Sequence, residues 1–396
     1  MVDIVNHYFE PYKGHIATIP GLSGDERLNA CVSFYKGQSD WFTNATFKVV
    51  IIGASEARNS VDNKACDKAP DKIRHYLYAL SSLSEGLQIG DAGNIRGNSL
   101  NDRYRALQEA VSWFVRRNIA VLVIGGSQDL TLPMAKGLLE GRKEGTINLA
   151  VGDAVLDIDV NSEDFSSRSW LSYLINELGS KLEDLVVFGT QAYLCSDSQR
   201  RFLDSRHYEM QRLGDLRGDN IRNSETLLRD AQAVSIDFRM IKNQPQFGSD
   251  LISKHGIEPF DICRILRYAG ISERVAVTGI FDVYLDENAE SNAMLAAQML
   301  WHFLDGFLGR AHDYPDEESG RYRQYLVPVE GLDEVLSFCR NSENDRWWMK
   351  APQQEGQRWV ACSRDDYRMA SRNEIPTKWW RLFRKHSETK NIEKNE

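Results

Sequence analysis

The sequence predicts an α/β fold: a three-layer α/β/α domain with a mostly parallel, eight-stranded sheet, followed by a small tryptophan-rich C-terminal appendage. Two observations favour this class. From about residue 46 to residue 310, short β-branched runs alternate with amphipathic stretches of helical length, which is typical of a parallel sheet covered by helices on both faces. The 396 residues are 42% hydrophobic and 27% charged, so the chain is long and apolar enough to bury a sizeable core.

Eight short apolar runs are the strand candidates, and several of them end in Gly, Asp or Ser. Residues at such ends lie at the carboxyl edge of an open α/β sheet, where ligands bind. Helices are predicted between the strands, including those that begin near Pro70, Leu132 and Ser291. The strand candidates are FKVVIIG from Phe47, LQIGD from Leu87, AVLVIGG from Ala120, INLAVGD from Ile147, DLVVFGT from Asp184, HYEMQRLG from His207, QAVSIDF from Gln232 and RVAVTGIFD from Arg274.

The character of the chain changes near residue 311, where it becomes polar and turn-like. Five of the nine tryptophans fall within residues 347–396. RWWMK from Arg346 and RWVAC from Arg358 predict a β-hairpin, and KWWRLFRKH after Pro376 predicts a short aromatic and basic helix. The predicted parts are an N-terminal extension over residues 1–45, the α/β domain over residues 46–310 and the C-terminal appendage over residues 311–396.

Charge and composition argue against several classes of function. The 48 basic and 57 acidic residues give a formal net charge of −9, which disfavours general binding to nucleic acid or anionic lipid. No apolar run approaches the roughly 18 to 20 residues that span a bilayer, and the first residues do not resemble an export signal. We therefore expect a cytoplasmic protein without nucleic-acid partners or membrane insertion. The six cysteines lie far apart, which indicates reduced thiols.

Three of the predicted strands end in polar motifs. These motifs are GGSQDL from Gly125, DAVLD from Asp153 and SIDFRMIKNQ from Ser235. In order and approximate spacing they resemble the motifs of the ureohydrolase family: the arginases, agmatinases and formimidoylglutamases. Further similar segments are APDKIR from Ala69, DAGN from Asp91 and GIFDVYLDEN from Gly279. The resemblance covers roughly residues 46–308 and implies an arginase-like fold.

The resemblance also implies a chemistry and a set of metal ligands. The family hydrolyses amidines or guanidines with a hydroxide that bridges two manganese ions, and six side chains in these motifs hold the metals. Three of those six are replaced in this sequence, by Gln128, Val155 and Arg239. The three that remain are Asp153, Asp157 and Asp237. Both imidazoles are lost and a permanent cation stands at a ligand position, so we expect the dinuclear centre to be absent.

The remaining aspartates are expected to pair with Arg239, with Lys242 as a second cation nearby, in an ion cluster in the vestigial cleft. Two alternatives stay open: a distant histidine such as His75 or His255 restores the metal centre, or the three aspartates hold a single weak metal. Each motif also has a purely structural interpretation. GGSQD is then a tight strand-to-helix turn capped by Ser127 or Asp129, and the aspartates accept bonds from loop amides.

The predicted function is that of a catalytically inactive, ureohydrolase-like pseudoenzyme, without a cofactor, that acts as a protein-binding or structural subunit. One alternative is a manganese-dependent amidine hydrolase of the formimidoylglutamase type. Another is a non-catalytic sensor of a small carboxylate, bound by Arg239 and Lys242. The resemblance also implies a homo-oligomer. Because tryptophan is enriched at interface hot spots, the candidates for binding an unidentified protein partner are Trp347, Trp348, Trp379 and Trp380. The alternative is that these rings pack the appendage onto the α/β domain.

Overall fold

The computed structural model describes residues 6–83, 86–159, 161, 164–244, 253–285, 290–316, 319–352 and 358–393. The strands of its larger sheet are β1 (Phe9–Glu10), β2 (Val32–Phe34), β3 (Val49–Ala54), β4 (Ile89–Ile95), β5 (Ala120–Gly125), β6 (Ile147–Gly152), β7 (Leu182–Thr190), β8 (Glu209–Arg212), β9 (Ala233–Asp237) and β10 (Val277–Phe281). They run in the order β1-β4-β3-β5-β10-β9-β6-β7-β8, and β2 also pairs with β4. Of these pairings, that of β1 with β4 is antiparallel and the others are parallel.

The five central strands explain the continuous apolar runs of the sequence. β3, β5, β6, β9 and β10 are buried at every position, as strands covered on both faces must be. Successive side chains of a strand point to opposite faces. In β3, Val50 and Ile52 pack into one hydrophobic cluster, whereas Val49 and Ile51 pack into a second cluster across the sheet. The predicted fold class, a helix-covered and mostly parallel sheet, is therefore confirmed.

Helices fill both faces of the sheet. Side chains of α3, α4 and α5 pack into the first cluster, and those of α2, α8 and α9 pack into the second. Pro70 and Pro259 lie in the first turns of α2 and α8, where a missing N–H is tolerated. The helices of this domain are α1 (Asp40–Thr43), α2 (Ala69–Leu77), α3 (Leu100–Val115), α4 (Thr131–Gly141), α5 (Trp170–Leu178), α6 (Asp197–Asp204), α7 (Asn223–Arg229), α8 (Pro259–Ile271) and α9 (Glu290–Leu308).

The sheet has ten strands rather than the predicted eight, because the segment before residue 46 adds β1 and β2 to the edge strand β4. All eight predicted strands are present. The two additional strands contain two and three residues, too few for an alternating pattern to show in sequence. Phe9 in β1 stacks on Phe42 of α1 with ring centroids 5.6 Å apart, so the N-terminal segment packs into the core.

The C-terminal appendage is a four-stranded antiparallel sheet with two helices. Its elements are β11 (Tyr322–Val327), β12 (Leu336–Asn341), β13 (Trp347–Lys350), β14 (Trp359–Cys362), α10 (Arg364–Ser371) and α11 (Thr377–Glu393). β13 pairs with β14 in the predicted hairpin, although residues 353–357 of its connection lie outside the described part of the chain. The predicted helix after Pro376 is confirmed as α11. The domain boundaries themselves stay a prediction.

Ion pairs attach this appendage to the amino edge of the larger sheet. Lys378 of α11 lies 2.8 Å from Asp230, the carboxylate that precedes β9. One turn further, Arg381 contacts Asp184 of β7 at 2.5 Å and Glu209 of β8 at 3.2 Å. Burial raises the pKa of the Asp184 carboxyl, but the charge of Arg381 outweighs it and the pKa lies below its usual value. The appendage is thus bound to the edge of the sheet opposite the carboxyl ends.

The structure corrects the expectation that four tryptophans form a partner-binding surface. Trp347, Trp348 and Trp379 are 5%, 2% and 2% exposed, so they pack the appendage instead. Trp348 faces the α/β domain, where the Arg229 guanidinium lies 4.9 Å from its ring centroid. Trp380, which is 40% exposed, is the one of the four that keeps an accessible face. No helix in the described residues is long and apolar enough to cross a membrane.

Candidate functional site

Four neighbouring strands bring the predicted site residues together at the carboxyl edge of the sheet. β5, β10, β9 and β6 lie side by side and parallel, so their ends open on the same edge. Asp237 is the last residue of β9, and Asp153 directly follows β6. Gln128 begins a short 3-10 turn after β5. These three side chains and that of Asp157 are all buried.

The guanidinium of Arg239 lies among the three carboxylates. Its Nη2 atom is 2.7 Å from Asp157 Oδ2, 2.8 Å from Asp237 Oδ2 and 3.3 Å from Asp153 Oδ2. Its Nε atom also donates a hydrogen bond to Asp237 Oδ2 at 2.9 Å. Oxygen atoms of the three aspartates lie within 4.8 Å of one another. One cation therefore contacts every carboxylate of this cluster, which we call the Arg239 cluster.

Local backbone bonds hold the carboxylates in place. Asp237 Oδ1 accepts a hydrogen bond from the backbone N–H of Arg239 at 2.7 Å, which caps the 3-10 turn Phe238–Met240. This turn carries the Arg239 side chain back toward the end of β9. Asp153 Oδ1 accepts a bond from the backbone N–H of Val155 at 3.2 Å. The aspartates thus act as acceptors for loop amides as well as partners of the guanidinium.

Gln128, which the motif resemblance puts at the position of the first family histidine, faces the same carboxylates. In the amide orientation that pairs donors with acceptors, its side-chain nitrogen lies 3.1 Å from Asp153 Oδ2 and 3.2 Å from Asp237 Oδ2. Its backbone N–H donates to Asp282 Oδ2 at 2.8 Å. An amide NH₂ group offers hydrogen-bond donors and no lone pair for a metal. Gln128 therefore complements the negative charge of the cluster from a second side.

The GGSQD turn is also required by packing. A Cβ atom on Gly126 would lie 1.9 Å from the carbonyl oxygen of Glu56, so only glycine fits this close approach. The expected capping bonds are not seen. Ser127 makes no side-chain cap, and its hydroxyl has no partner among the described residues. Asp129 instead accepts a hydrogen bond from Tyr104 of α3.

Burial disfavours the charged forms of the cluster residues, and the contacts among these residues offset this cost in part. Burial raises the pKa of the Asp153 carboxyl well above its usual range, with Arg239 acting in the opposite direction. Burial likewise raises the pKa of Asp237. For Arg239, burial disfavours the charged form, but the three carboxylates hold its pKa well above the usual range. The guanidinium is therefore a permanent cation, and with all carboxylates ionised the cluster carries a formal excess of two negative charges.

These residues do not fit a pair of manganese ions. Manganese prefers oxygen and imidazole ligands in a six-coordinate shell, and the cluster offers three carboxylates without an imidazole. Val155 has no ligand atom, and the Gln128 amide presents donors. The guanidinium occupies the space between the carboxylates, where a divalent cation would have to lie.

The structure corrects the expected role of Lys242 and places the two alternative histidines away from the cluster. Lys242 Nζ pairs with Glu258 Oε1 at 2.7 Å and is not the second cation of the cluster. The Nδ1 atom of His75 is 2.7 Å from the carbonyl oxygen of His15. Across the described residues, the group that could hold a metal consists of the three aspartates, and neither His75 nor His255 joins it.

Two residues that sequence reasoning did not single out lie beside the cluster. Trp170, the first residue of α5, donates from Nε1 to Asp157 Oδ2 at 3.2 Å. Thirteen residues separate the two positions, and no motif links them. Asp282, just after β10, is buried with a pKa raised first by burial and then by the charge of Asp237. Its place at a strand end was the sequence feature that could have indicated it.

The fold and the strand-end residues define a three-layer α/β/α protein of the ureohydrolase type. The model of the arginase family matches residues 47–305 of this chain. The chain therefore belongs to the arginase family, and the resemblance seen in the sequence motifs is confirmed. A search of curated protein sequences gives no significant match.

Several solved structures share the fold. Formiminoglutamase from Trypanosoma cruzi with Mn²⁺ is 21% identical, with a TM-score of 0.61, over 68% of this chain and 97% of that one. Formimidoylglutamase from Bacillus subtilis is 18% identical, with a TM-score of 0.63, over 74% and 97%. Agmatine ureohydrolase from Thermoplasma volcanium is 18% identical, with a TM-score of 0.55, over 66% and 90%. At identities this low, the structural similarity establishes a common fold. The function of this chain has to be inferred from its own site residues.

Proposed function

We propose that this chain is a catalytically inactive member of the arginase family that acts as a structural or protein-binding subunit. The observation that carries the proposal is the Arg239 guanidinium in contact with Asp153, Asp157 and Asp237. The resemblance to the family implies a hydrolytic water activated by two metal ions, and Arg239 stands at one of the six ligand positions that it implies. An internal ion cluster here uses the same carboxylates to balance a side chain of the protein itself.

Displacing the guanidinium would be energetically unfavourable. A metal ion entering the cluster would have to push a buried, hydrogen-bonded cation out of contact with its partners, and the two like charges would repel at short distance. The ligand set left behind would still be half of the family's six. The carboxylate-sensor alternative also loses support, because Arg239 already contacts three carboxylates and Lys242 pairs with Glu258.

The first test concerns metal and activity together. We expect the purified chain, incubated with excess MnCl₂ and then desalted, to retain less than a stoichiometric amount of manganese by elemental analysis. We also expect no hydrolysis of formimidoylglutamate, agmatine or arginine above the buffer rate, and no change in melting temperature between MnCl₂ and EDTA. Stoichiometric manganese with EDTA-sensitive hydrolysis would establish the competing function, that of a formimidoylglutamase-type hydrolase.

The binding role includes self-association. The resemblance to the ureohydrolases implies a homo-oligomer, and the surface carries an apolar groove of about 510 Å³ lined by Leu80, Pro259, Phe260 and Trp301. Phe260 is 74% exposed in the single chain. Light scattering at micromolar concentration should give a mass of at least twice the 45.2 kDa of one chain. A monomer mass would reject self-association without affecting the expected lack of activity.

A further inference from the structure

A cleft rich in arginine lies at the amino edge of the larger sheet, opposite the Arg239 cluster. It has a volume of about 450 Å³ and opens between the segments that precede β6 and β10 and the C-terminal appendage. Its charged lining residues are Arg142, Glu144, Glu273, Arg274 and Arg358. An adjoining cavity of about 530 Å³ shares the first three of these and adds Arg116, Lys143 and Arg310.

The guanidinium of Arg274 has the least compensation in this cleft. Its ion pair with Glu144 spans 3.7 Å from Nη2 to Oε2, longer than a hydrogen bond. Its Nε atom is buried and has no hydrogen-bond partner within the described part of the chain. Burial, and then the charge of Arg358, lowers the pKa of Arg274, and the charges of Asp230 and Glu144 offset this only in part.

The Glu144 carboxylate, which lies nearest to Arg274, is shared among several donors. Glu144 Oε1 accepts from Arg142 Nη1 at 3.1 Å, while Glu144 Oε2 accepts from Gln232 Nε2 and is the atom nearest Arg274. Arg358 has its own partner in Glu183, at 2.6 Å, yet its Nε atom is also buried without a partner in the described residues. Two arginines of one cleft therefore each carry a buried N–H group without an acceptor in the described residues.

The charged residues that line the two cavities also favour an anionic ligand. Six basic and two acidic side chains line the two adjoining cavities, a formal excess of four positive charges on a chain whose net charge is −9. Arg310, whose pKa burial lowers to about 10, donates to the backbone carbonyls of Gly270 and Val275 rather than to a carboxylate. Guanidinium groups bind phosphate oxygens with two parallel hydrogen bonds, and a neighbouring guanidinium strengthens the local positive potential.

We propose that this cleft binds a small phosphate-bearing anion with two or more negative charges, held by Arg274 and Arg358 with Arg142 at its rim. The phosphate oxygens would accept from Arg274 Nη2, which lies 3.7 Å from Glu144 Oε2, and would offset the surplus positive charge. The site lies on the opposite edge of the sheet from the Arg239 cluster and does not depend on whether that cluster is catalytic.

Isothermal titration with inorganic pyrophosphate, at fixed ionic strength and without divalent metals, tests the proposal. Wild-type protein should bind with 1:1 stoichiometry, and Arg274→Gln should weaken binding at least tenfold. Arg274→Lys should give an intermediate loss, because it keeps the charge but not the two-pronged geometry. The matched control is Arg105→Gln, which removes one charge from an 80% exposed arginine on α3 and should leave the affinity unchanged.

Thermal unfolding separates ligand binding from a structural role. Because the Arg274 guanidinium lacks compensation, Arg274→Gln should melt no lower than wild type without pyrophosphate, and it should lose the rise in melting temperature that pyrophosphate gives wild type. Arg358→Gln provides a second variant with the same expected loss of affinity. Absence of binding by wild type, equal binding by all variants, or equal affinity for citrate would overturn the assignment to a phosphate ligand.

Discussion

Arg239→Ala should destabilise the folded protein by about 3–5 kcal/mol, the range found when one partner of a buried ion pair is removed. Three carboxylates would lose their common cation, and burial already raises the pKa of two of them. Arg239 is 11% exposed, so water would replace the lost contacts only partly. Chemical denaturation with the linear extrapolation of the unfolding free energy measures this difference directly.

The control is an arginine whose ion pair is exposed. Arg105→Ala breaks the pair with Glu109, which spans 2.7 Å on the surface of α3, and should change the unfolding free energy by less than about 1 kcal/mol. Arg239→Lys should fall between the two variants, because an ammonium keeps the charge but cannot present the planar fork to three carboxylates. If Arg239→Ala unfolds like wild type, the Arg239 cluster does not stabilise the fold.

The strands that form the site were predictable because they are buried on both faces. Such strands appear as unbroken apolar runs, and the polar residue that ends each run marks the carboxyl edge. The order of the strands in the sheet is not visible in the sequence. Contacts such as that between Asp157 and Arg239 depend on that order, and the resemblance to a known family supplied what local patterns could not.

Two expectations about side chains went wrong for identifiable reasons. Lys242 lies three positions after Arg239, but the chain leaves the cluster at the end of the 3-10 turn, and its backbone N–H bonds to Ile257. Trp347 and Trp348 are adjacent in β13 and therefore face opposite sides of the small sheet. Both sides are covered, one by α10 and α11 and the other by the α/β domain, so aromatic composition indicated an interface within the chain rather than a free surface.

Converting the cluster into a metal site tests whether Arg239 and the two missing imidazoles prevent metal binding. The triple variant Gln128→His, Val155→His and Arg239→Asp would provide all six side chains of the family pattern, with Asp153, Asp157 and Asp237 retained. Without metal, this variant should be less stable than Arg239→Ala, because a fourth carboxylate replaces the cation. With MnCl₂ at one hundred times the dissociation constant, binding should restore about 2.7 kcal/mol of unfolding free energy for each manganese ion bound, and EDTA should abolish the gain.

The double variant Gln128→His and Val155→His, which keeps Arg239, separates the effect of the cation from that of the missing imidazoles. It supplies both histidines but leaves the guanidinium within 2.7 to 3.3 Å of the carboxylates, so its melting temperature should not respond to manganese. A response in the double variant as large as in the triple variant would show that the imidazoles alone decide metal binding. If neither variant responds to manganese, the six side chains no longer converge on one site. The surrounding loops would then have repacked around the arginine.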